Sequence, residues 1–472
     1  MSAPPPGAVR LSPPAEVRAI ARRLEDAGHS TWAVGGAVRD ALAGLAPGDW
    51  DLATAARPTE VRRLFPRTVP VGIEHGTVGV LGRDGTLYEV TTFRRDVETF
   101  GRRAVVAFAD TLEEDLQRRD FTINAIAWHP LRQQLFDPHG GADDLRRGVL
   151  RTVGEPAERF AEDYLRILRA LRFAGRYGLR IEPATRAAAR AMVEHLRELS
   201  AERVREELFK VLAAPRPSAA LELYRQAGVL RVLYPELEAC TATADEHGEL
   251  VWAHLLRSTD AVARQRAPLL RLAALLHAVG KPAVRVETAE GVRFPRYAEA
   301  GAARARELLR RLKCSNAQID LVTHLVAQHA SLPSANTPAP AVRRWLQRVG
   351  REHVADVLRL RVAACRARGG AARAEGEALR DAVRHLRQVL AAHPPLRVAE
   401  LAIGGDDLRA LGLRPGRRYG EILRALLERV TDEPGLNTRD ALLALADELA
   451  RHATRGADDP PPRSGADRPD AR

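Results

Sequence analysis

The sequence predicts an α+β protein: a mixed α/β head near the N terminus, followed by an all-helical neck, body and tail. Three observations carry that prediction. Strand-like runs, short and β-branched or alternating and bounded by Gly, Asp and Pro, are confined to about Thr31–Val153. From Glu155 onward apolar residues recur at three- and four-residue spacing in one segment after another. Breaks at 329–341, 366–372 and 392–396 divide the later helical part, and no fixed-period repeat is present.

In chain order, residues 1–14 are Pro-rich and predict disorder, as does the tail 453–472. The head, 15–153, carries the strand candidates TWAVGG (31–36), WDLAT (50–54), GTVGVLG (76–82) and LYEVTTF (87–93), with short helices such as RPTEVRRLF (57–65) between them. The neck, 154–230, begins with the amphipathic run ERFAEDYLRILRALRFAGRYG (158–178) and continues through AERVREELFKVLAA (201–214). A helical body is predicted over 231–345 and a helical tail over 346–452.

The 472 residues are 45% hydrophobic and 28% charged, an ordinary globular balance. No apolar run approaches the ~20 residues of a membrane-spanning helix, so no membrane partner is expected. The N terminus lacks the apolar core of a secretory signal, and three scattered cysteines make neither a disulfide framework nor a zinc site. A cytoplasmic protein is the expectation. The net charge of +12 suits a polyanionic partner. However, 70 of the 73 basic residues are Arg, a skew that genome composition explains equally well. Aromatics at 5% argue against a large base-stacking platform.

Within the head, Val34 runs into Gly35-Gly36 and a short helix carrying Arg39. Such a turn lets backbone amides approach a phosphate; a plain strand–turn–helix is the competing reading. Asp49 and Asp51 flank Trp50 in the only Asp-x-Asp of the chain. On a strand, residues i and i+2 share a face, so the two carboxylates form a hard-oxygen pair suited to Mg²⁺. In LYEVT the alternation sets Leu87, Glu89 and Thr91 on one face. Glu89 is then either a third carboxylate for the metal or part of a solvated edge.

The order of motifs is telling: GGAVRD (35–40), DWD (49–51), RRDFTINA (118–125) and EDYLRILRALRF (162–173). Together they resemble the class II tRNA nucleotidyltransferase and bacterial poly(A) polymerase family of the polymerase β superfamily. The resemblance implies a nucleotidyltransferase head and addition of nucleotides from CTP or ATP to the 3′ end of tRNA. It implies Mg²⁺ at Asp49 and Asp51, with Glu89 at the usual place of a third carboxylate. Gly35 belongs to the matching turn, and Gly36 and Arg39 match triphosphate-contacting positions. Arg119 and Asp120 match positions near the sugar and phosphates, with Asn124 behind them.

The fourth motif also has a physical reading. Asp163 and Arg166, three apart on a predicted helix, are neighbours that either pair with each other or face a ligand. A carboxylate accepts from the exocyclic amine of cytosine or adenine, and a guanidinium donates to a ring acceptor; uracil and guanine present a carbonyl that the carboxylate repels. Arg169 and Arg172 continue the spacing, toward a triphosphate or a base. AERVREELFK (201–210) resembles the family's fifth motif and predicts a buttress for that helix, with Ser200 as its N-cap.

Three regions are less direct. RRDVETFGRRAVVA (94–107) matches a flexible loop of the family, with Arg95-Asp96 as its basic–acidic pair. His254, His277-Ala278, His324 and His329 resemble an HD phosphohydrolase domain in which Ala278 replaces the metal-binding Asp, so a degenerate helical scaffold is expected. Gly416-Arg417-Arg418 at a helix start resembles the tRNA-gripping tail, a capped helix–turn–helix being the alternative. The competing functions are a poly(A) polymerase, an HD-type phosphohydrolase and a non-catalytic RNA-binding protein.

Overall fold

A computed structural model describes residues 11–100, 103–263, 268–368 and 372–455. The chain divides into two compact units, Met1–Thr323 and His324–Arg472. The division falls inside the stretch 231–345.

The first unit opens with α1 (Ala15–Asp26), whose Val17, Ile20, Ala21 and Leu24 follow helical spacing and are buried. Strand β1 (Thr31–Val34) passes through Gly35 into α2 (Gly36–Leu42). There follow β2 (Asp51–Thr54), α3 (Pro58–Leu64), β3 (Thr68–Gly72), β4 (Thr77–Leu81) and β5 (Leu87–Thr92). Next come the ribbon strands β6 (Arg94–Phe100) and β7 (Arg103–Phe108), then α4 (Leu112–Gln117). The head closes with β8 (Ala127–His129), β9 (Gln134–Phe136), α5 (Gly141–Arg146) and β10 (Val149–Leu150).

Seven strands form one sheet in the order β3-β4-β5-β2-β1-β8-β9, antiparallel except where β2 runs parallel to β5. Strand alternation splits the apolar residues between two cores. Leu52, Val78, Val80, Tyr88 and Val90 pack against α1, α2 and α3. Val34, Ala53 and Ala127 face the other way, toward Leu112 and Leu116 of α4. Asp51 and Ala53, two apart, share the α4 side, so the periodicity that builds the cores also turns Asp51 out of the first of them.

Helices then dominate: α6 (Pro156–Glu162), α7 (Leu165–Tyr177), α8 (Pro183–Ala191), α9 (Ala201–Leu212) and α10 (Pro217–Ala227). A short β11 (Arg180–Ile181) pairs with β10 between α7 and α8. Beyond α10 come α11 (Val229–Leu233), α12 (Pro235–Glu238), α13 (Val251–Ala261) and α14 (Leu269–Leu276). A hairpin of β12 (Val286–Thr288) and β13 (Gly291–Arg293) precedes α15 (Tyr297–Arg311) and α16 (Asn316–Gln328). Helices α7 and α10 cross closely. A Cβ on Gly175 would lie 2.4 Å from the Ala220 backbone nitrogen and 2.5 Å from its Cα, so only glycine fits there. Buried Arg271 donates to the carbonyls of Leu212 (2.7 Å), Ala214 (2.6 Å) and Val262 (3.1 Å), satisfying orphan acceptors at the ends of α9 and α13.

The second unit contains α17 (Ala339–Val349), α18 (Val354–Ala367), α19 (Ala372–Ala391), α20 (Gly405–Ala410), α21 (Arg417–Asp432) and α22 (Arg439–Arg455). Leu408, Ile422, Leu426, Val430 and Leu442 form a core of this unit. Arg343 ties α17 to α21 by donating to the carbonyls of Thr431 (2.6 Å) and Asp432 (3.0 Å).

Several expectations change. The segment expected as a loop at 94–107 carries a two-stranded antiparallel ribbon, β6 on β7, paired from Arg94 with Phe108 to Phe100 with Arg103. Short strands appear at β11, β12 and β13, where only helices were expected. Helix α22 continues to Arg455, three residues into the stretch expected to be disordered. The expectations for 1–10 and 456–472 fall outside the described residues, as does the side chain of Asp96.

Candidate active site

A cavity of about 760 Å³ lies between the α4 side of the sheet and helix α7. Its sheet wall carries Val34, Gly35, Gly36, Asp51, Thr77, Glu89 and Thr91; its helical wall runs from Asp163 through Arg166, Arg169, Arg172 and Phe173 to Arg176. Ten basic side chains (Arg39, Arg94, Arg118, Arg119, Arg166, Arg169, Arg172, Arg176, Arg203 and Lys210) face five acidic ones (Asp51, Glu89, Asp115, Asp120 and Asp163). That excess of cations suits a polyphosphate.

Gly35 adopts φ +75°, and a side chain there would press on Arg119 Nη1 at 3.3 Å. Both facts require glycine at the turn. Register explains the carboxylates. Val34 of β1 pairs with Asp51, and Leu52 pairs with Val90, which sets Asp51 beside Glu89 at the open end of two parallel strands. Asp49 departs from expectation: β2 starts at Asp51, and Asp49 lies exposed in the preceding loop because Gly48 and Pro47 keep the chain out of the sheet. Trp50 is nonetheless buried, and Asp49 remains close enough for its charge to act on Asp51.

The remaining acids of the cavity are committed. Asp115 accepts from Arg118 (2.8 Å) and Arg119 (3.0 Å). Burial works against its charge, but the two guanidiniums outweigh burial and hold its carboxyl below the usual range. Asp120 pairs with Arg169 at 2.7 Å and accepts from Asn124 Nδ2 at 2.9 Å, again ending below the usual range against burial. Asp163 pairs with Arg203 at 2.6 Å. Among the described residues, Asp51 and Glu89 are the cavity acids with no ion-pair or hydrogen-bond partner. Burial, with the neighbouring Glu89 and Asp49 charges, pushes the Asp51 carboxyl up to about 6, with Arg119 opposing the rise.

This is where a divalent cation fits. Unpartnered carboxylates that repel one another are the chemistry a hard cation relieves. Among the described residues no three such groups stand close enough to hold an ion alone. A cation held there would take its remaining ligands from phosphate or water, as Mg²⁺ commonly does.

Asn124 links Arg39 and Asp120, the two head residues that bond to the neck through Tyr177 and Arg169. Its Oδ1 accepts from Arg39 at 2.5 Å while its Nδ2 donates to Asp120. Arg39 also donates to Asp40 from both Nε (2.9 Å) and Nη2 (2.7 Å) and to the Tyr177 hydroxyl from Nη2 (2.6 Å), and lies over the Phe173 and Tyr177 rings at 4.9 and 4.7 Å. Of its five N–H groups, four are therefore engaged, leaving one for a ligand. Burial pushes the Tyr177 hydroxyl up to about 12, so it stays a donor to Asp40.

The fourth motif differs in detail from its helical reading. Asp163 is extended (φ −159°, ψ 104°) between α6 and α7 rather than on one helix. Its Oδ1 accepts from Leu165 N at 3.0 Å and so caps α7. Asp163 and Arg166 do not pair with each other. Arg166 turns to Glu162 and, at 2.9 Å, to the Arg159 carbonyl. Both still line the cavity. Arg169 is held by Asp120, and buried Arg172 by Glu207 at 2.6 Å, so neither guanidinium is wholly free for a ligand. The Arg172–Glu207 pair, with Arg203 on Asp163, links α9 to this segment as the expected buttress, although the Ser200 hydroxyl makes no cap bond.

Residues the motifs did not single out include Asp115, Arg118, Arg176, Arg203 and Lys210. Arg176 was findable by extending the 166–169–172 spacing, and Asp115 by its position four before Arg119. Arg203 was not, because its link to Asp163 is tertiary.

The histidines serve packing. His277 Nδ1 donates to the Ala274 carbonyl at 2.7 Å, leaving its Nε2 to accept from His254 Nε2 at 3.2 Å. In the second unit His324 and His329 each donate to a backbone carbonyl at 2.7 Å, those of Val349 and Val326. Gly416 caps the start of the 16-residue α21, where Arg418 is bound to the Ala450 carbonyl and Arg417 faces Glu421.

Comparison with known proteins gives three family matches: a poly A polymerase head domain over residues 31–151, a probable RNA and SrmB-binding site of polymerase A over 178–241, and a putative tRNA nucleotidyltransferase domain 2 over 297–446. The CCA-adding enzyme of Geobacillus kaustophilus is 34% identical over 438 residues, 92% of this chain and 97% of that protein. That of Anoxybacillus flavithermus is 46% identical over 220 residues, 46% of this chain and 55% of that one. The crystal structure of the Bacillus stearothermophilus CCA-adding enzyme in complex with CTP superposes with a TM-score of 0.72 at 31% identity, covering 94% of this chain and all of that one.

Proposed function

This chain belongs to the CCA-adding enzymes, the class II tRNA nucleotidyltransferases, and on that footing we propose that it adds C and A from CTP and ATP to the 3′ end of tRNA without a nucleic-acid template. The observation that carries the reading is the unpartnered Asp51–Glu89 pair set against an arginine-lined cavity. The family requires a divalent metal; we assign Mg²⁺, held by Asp51 with Asp49 and Glu89. Bound there, it would acidify the primer hydroxyl and neutralise charge on the leaving pyrophosphate.

The chain's own residues do the rest. The Gly35–Gly36 turn and the N terminus of α2 offer amides to a phosphate, and Arg119 adds a fixed charge beside them. Arg39 keeps one donor for the triphosphate. Asp163, oriented by Arg203 and by the Leu165 amide, accepts from the exocyclic amine of C or A. Arg166, its far edge tied to Glu162 and Arg159, donates to the ring. Arg169 and Arg172 act mainly by holding α7 in place. The helical stretches 154–230, 231–345 and 346–452 serve as neck, body and tail that grip tRNA through backbone and shape. No helix among the described residues is long and apolar enough to cross a membrane, and a cytoplasmic location completes the reading.

A tRNA lacking its terminal CCA and an unstructured RNA, each incubated with CTP alone, ATP alone and both, test it by product sequencing. The expected products are C additions with CTP and a completed CCA with both, on the tRNA alone. Long A-tracts on the unstructured RNA would instead mark a poly(A) polymerase.

A further inference from the structure

The sheet wall of the cavity does not end at Glu89. Gly79 of β4 stands opposite Glu89, and Val69 of β3 stands opposite Gly79. Where a side chain of Gly79 would stand, Val71 and Leu87 close in. A Cβ there would meet Val71 Cγ2 at 2.8 Å and Leu87 Cδ1 at 2.9 Å. Val71 comes over Gly79 because the β3–β4 register shifts between Pro70 and Gly72. Val69, Val71 and Leu87 are 44%, 42% and 41% exposed, three of the few large apolar side chains left open among the described residues. They form one shelf on the face that carries Glu89. An aliphatic patch left uncovered beside a charged cavity marks an interaction surface.

We propose that this shelf seats the terminal nucleoside of the RNA primer. The proposal rests on the function given above. The basic residues of the cavity stand on α2, at the start of β6, just after α4, and on α7 and α9, with none on β3, β4 or β5, so an incoming triphosphate occupies the side away from those three strands. The attacking hydroxyl must then reach Asp51 and Glu89 from the other side, along β5, β4 and β3. The shelf is continuous with those carboxylates: Leu87 is two residues from Glu89 on the same face of β5. It is apolar, as suits the face of a base or ribose, and it lacks the basic residues that would draw a triphosphate. A shelf of aliphatics also reads no base edge, which suits a primer whose last nucleotide changes at each addition.

The test uses Leu87→Ser and Val71→Ser, with Leu87→Met as the conservative control, in the full-length enzyme. KM for a tRNA lacking CCA and KM for CTP are measured separately, alongside melting temperature and sedimentation. A rise in the tRNA KM of about tenfold or more, equivalent to about 1.4 kcal/mol, is expected in both Ser variants. The CTP KM and the melting temperature should stay put, and Leu87→Met should behave as wild type. An unchanged tRNA KM overturns the proposal, as does a parallel loss in both KM values together with a lowered melting temperature, which would make the residues supports of the sheet. A wild-type dimer dissolved by Leu87→Ser also overturns it and gives the patch to a second copy of the chain. Wild-type enzyme that fails to extend tRNA at all refutes the function itself, a result the same assay separates from failure of the shelf.

Discussion

Replacing Gly175 by alanine sets two effects against each other, and the geometry says which wins. Alanine inside a helix is favoured over glycine by about 0.8–1.0 kcal/mol, so propensity alone would raise stability. The new methyl, however, would stand 2.4 Å from the Ala220 nitrogen and 2.5 Å from its Cα. Ordinary contact begins near 3.4 Å, so α7 and α10 must part by about 1 Å. The atoms struck are backbone, which cannot rotate away. Overpacking of this kind costs about 1–3 kcal/mol in ordinary cores, and a forced helix separation lies at the upper end, leaving a net loss of about 1–2 kcal/mol. At about 2–4 °C per kcal/mol for a unit of this size, the melting temperature should fall by several degrees. Because α7 carries Arg166 and Arg169, kcat/KM for CTP should fall with it. Adding Ala220→Gly should not restore stability, since the nitrogen and Cα remain. A melting temperature that rises, or full rescue by Ala220→Gly, would refute the argument.

Three further outcomes are expected. The Asp51 carboxyl, raised from 3.8 to about 6, keeps its proton in the folded state between those values, so metal-free stability falls as pH climbs through that window. The roughly 2-unit shift corresponds to about 3 kcal/mol. In EDTA at pH 7.5, Asp51→Asn should therefore melt above wild type while abolishing transfer; a variant less stable than wild type would count against the reading. Glu207→Gln leaves the buried Arg172 guanidinium without its carboxylate and should cost about 3–5 kcal/mol in urea unfolding; a loss under 1 kcal/mol would show the pair to be dispensable. Burial opposes the Glu207 charge, but Arg172 and Lys210 hold its carboxyl below the usual range, so its contribution is present at neutral pH and disappears on acidification below about 4. Asp163→Ala should admit U and G in single-nucleotide incorporation assays, and unchanged selection would remove Asp163 from base choice.

The legible parts of the molecule were those set by local rules. Alternation in LYEVTTF set Glu89 on the face of β5 with Leu87 and Thr91, and the Gly-Gly turn between a strand and a short helix stands at Gly35 and Gly36. What local rules could not supply was the choice of partner. Asp163 and Arg166 have the spacing of an i, i+3 pair, yet each has another partner: Asp163 takes Arg203 from α9 by tertiary contact, and Arg166 takes Glu162, four residues earlier at the end of α6. Helical spacing likewise suggested free guanidiniums at Arg169 and Arg172, whose engagement depends on residues 49 and 35 positions away. Asp49 was misplaced because i, i+2 geometry holds only inside a strand, and the strand begins two residues later.

The Arg39 knot has a consequence for when the protein becomes an enzyme during its own synthesis. Arg39 and Asp40 leave the ribosome 138 and 137 residues before the Tyr177 hydroxyl that completes their bonding. Asp120 precedes its guanidinium partner Arg169 by 49. A nascent chain stopped at the end of the head thus displays the carboxylates while lacking the aromatic floor and the arginine row. The cavity is complete only when α7 has been translated and has docked on the head.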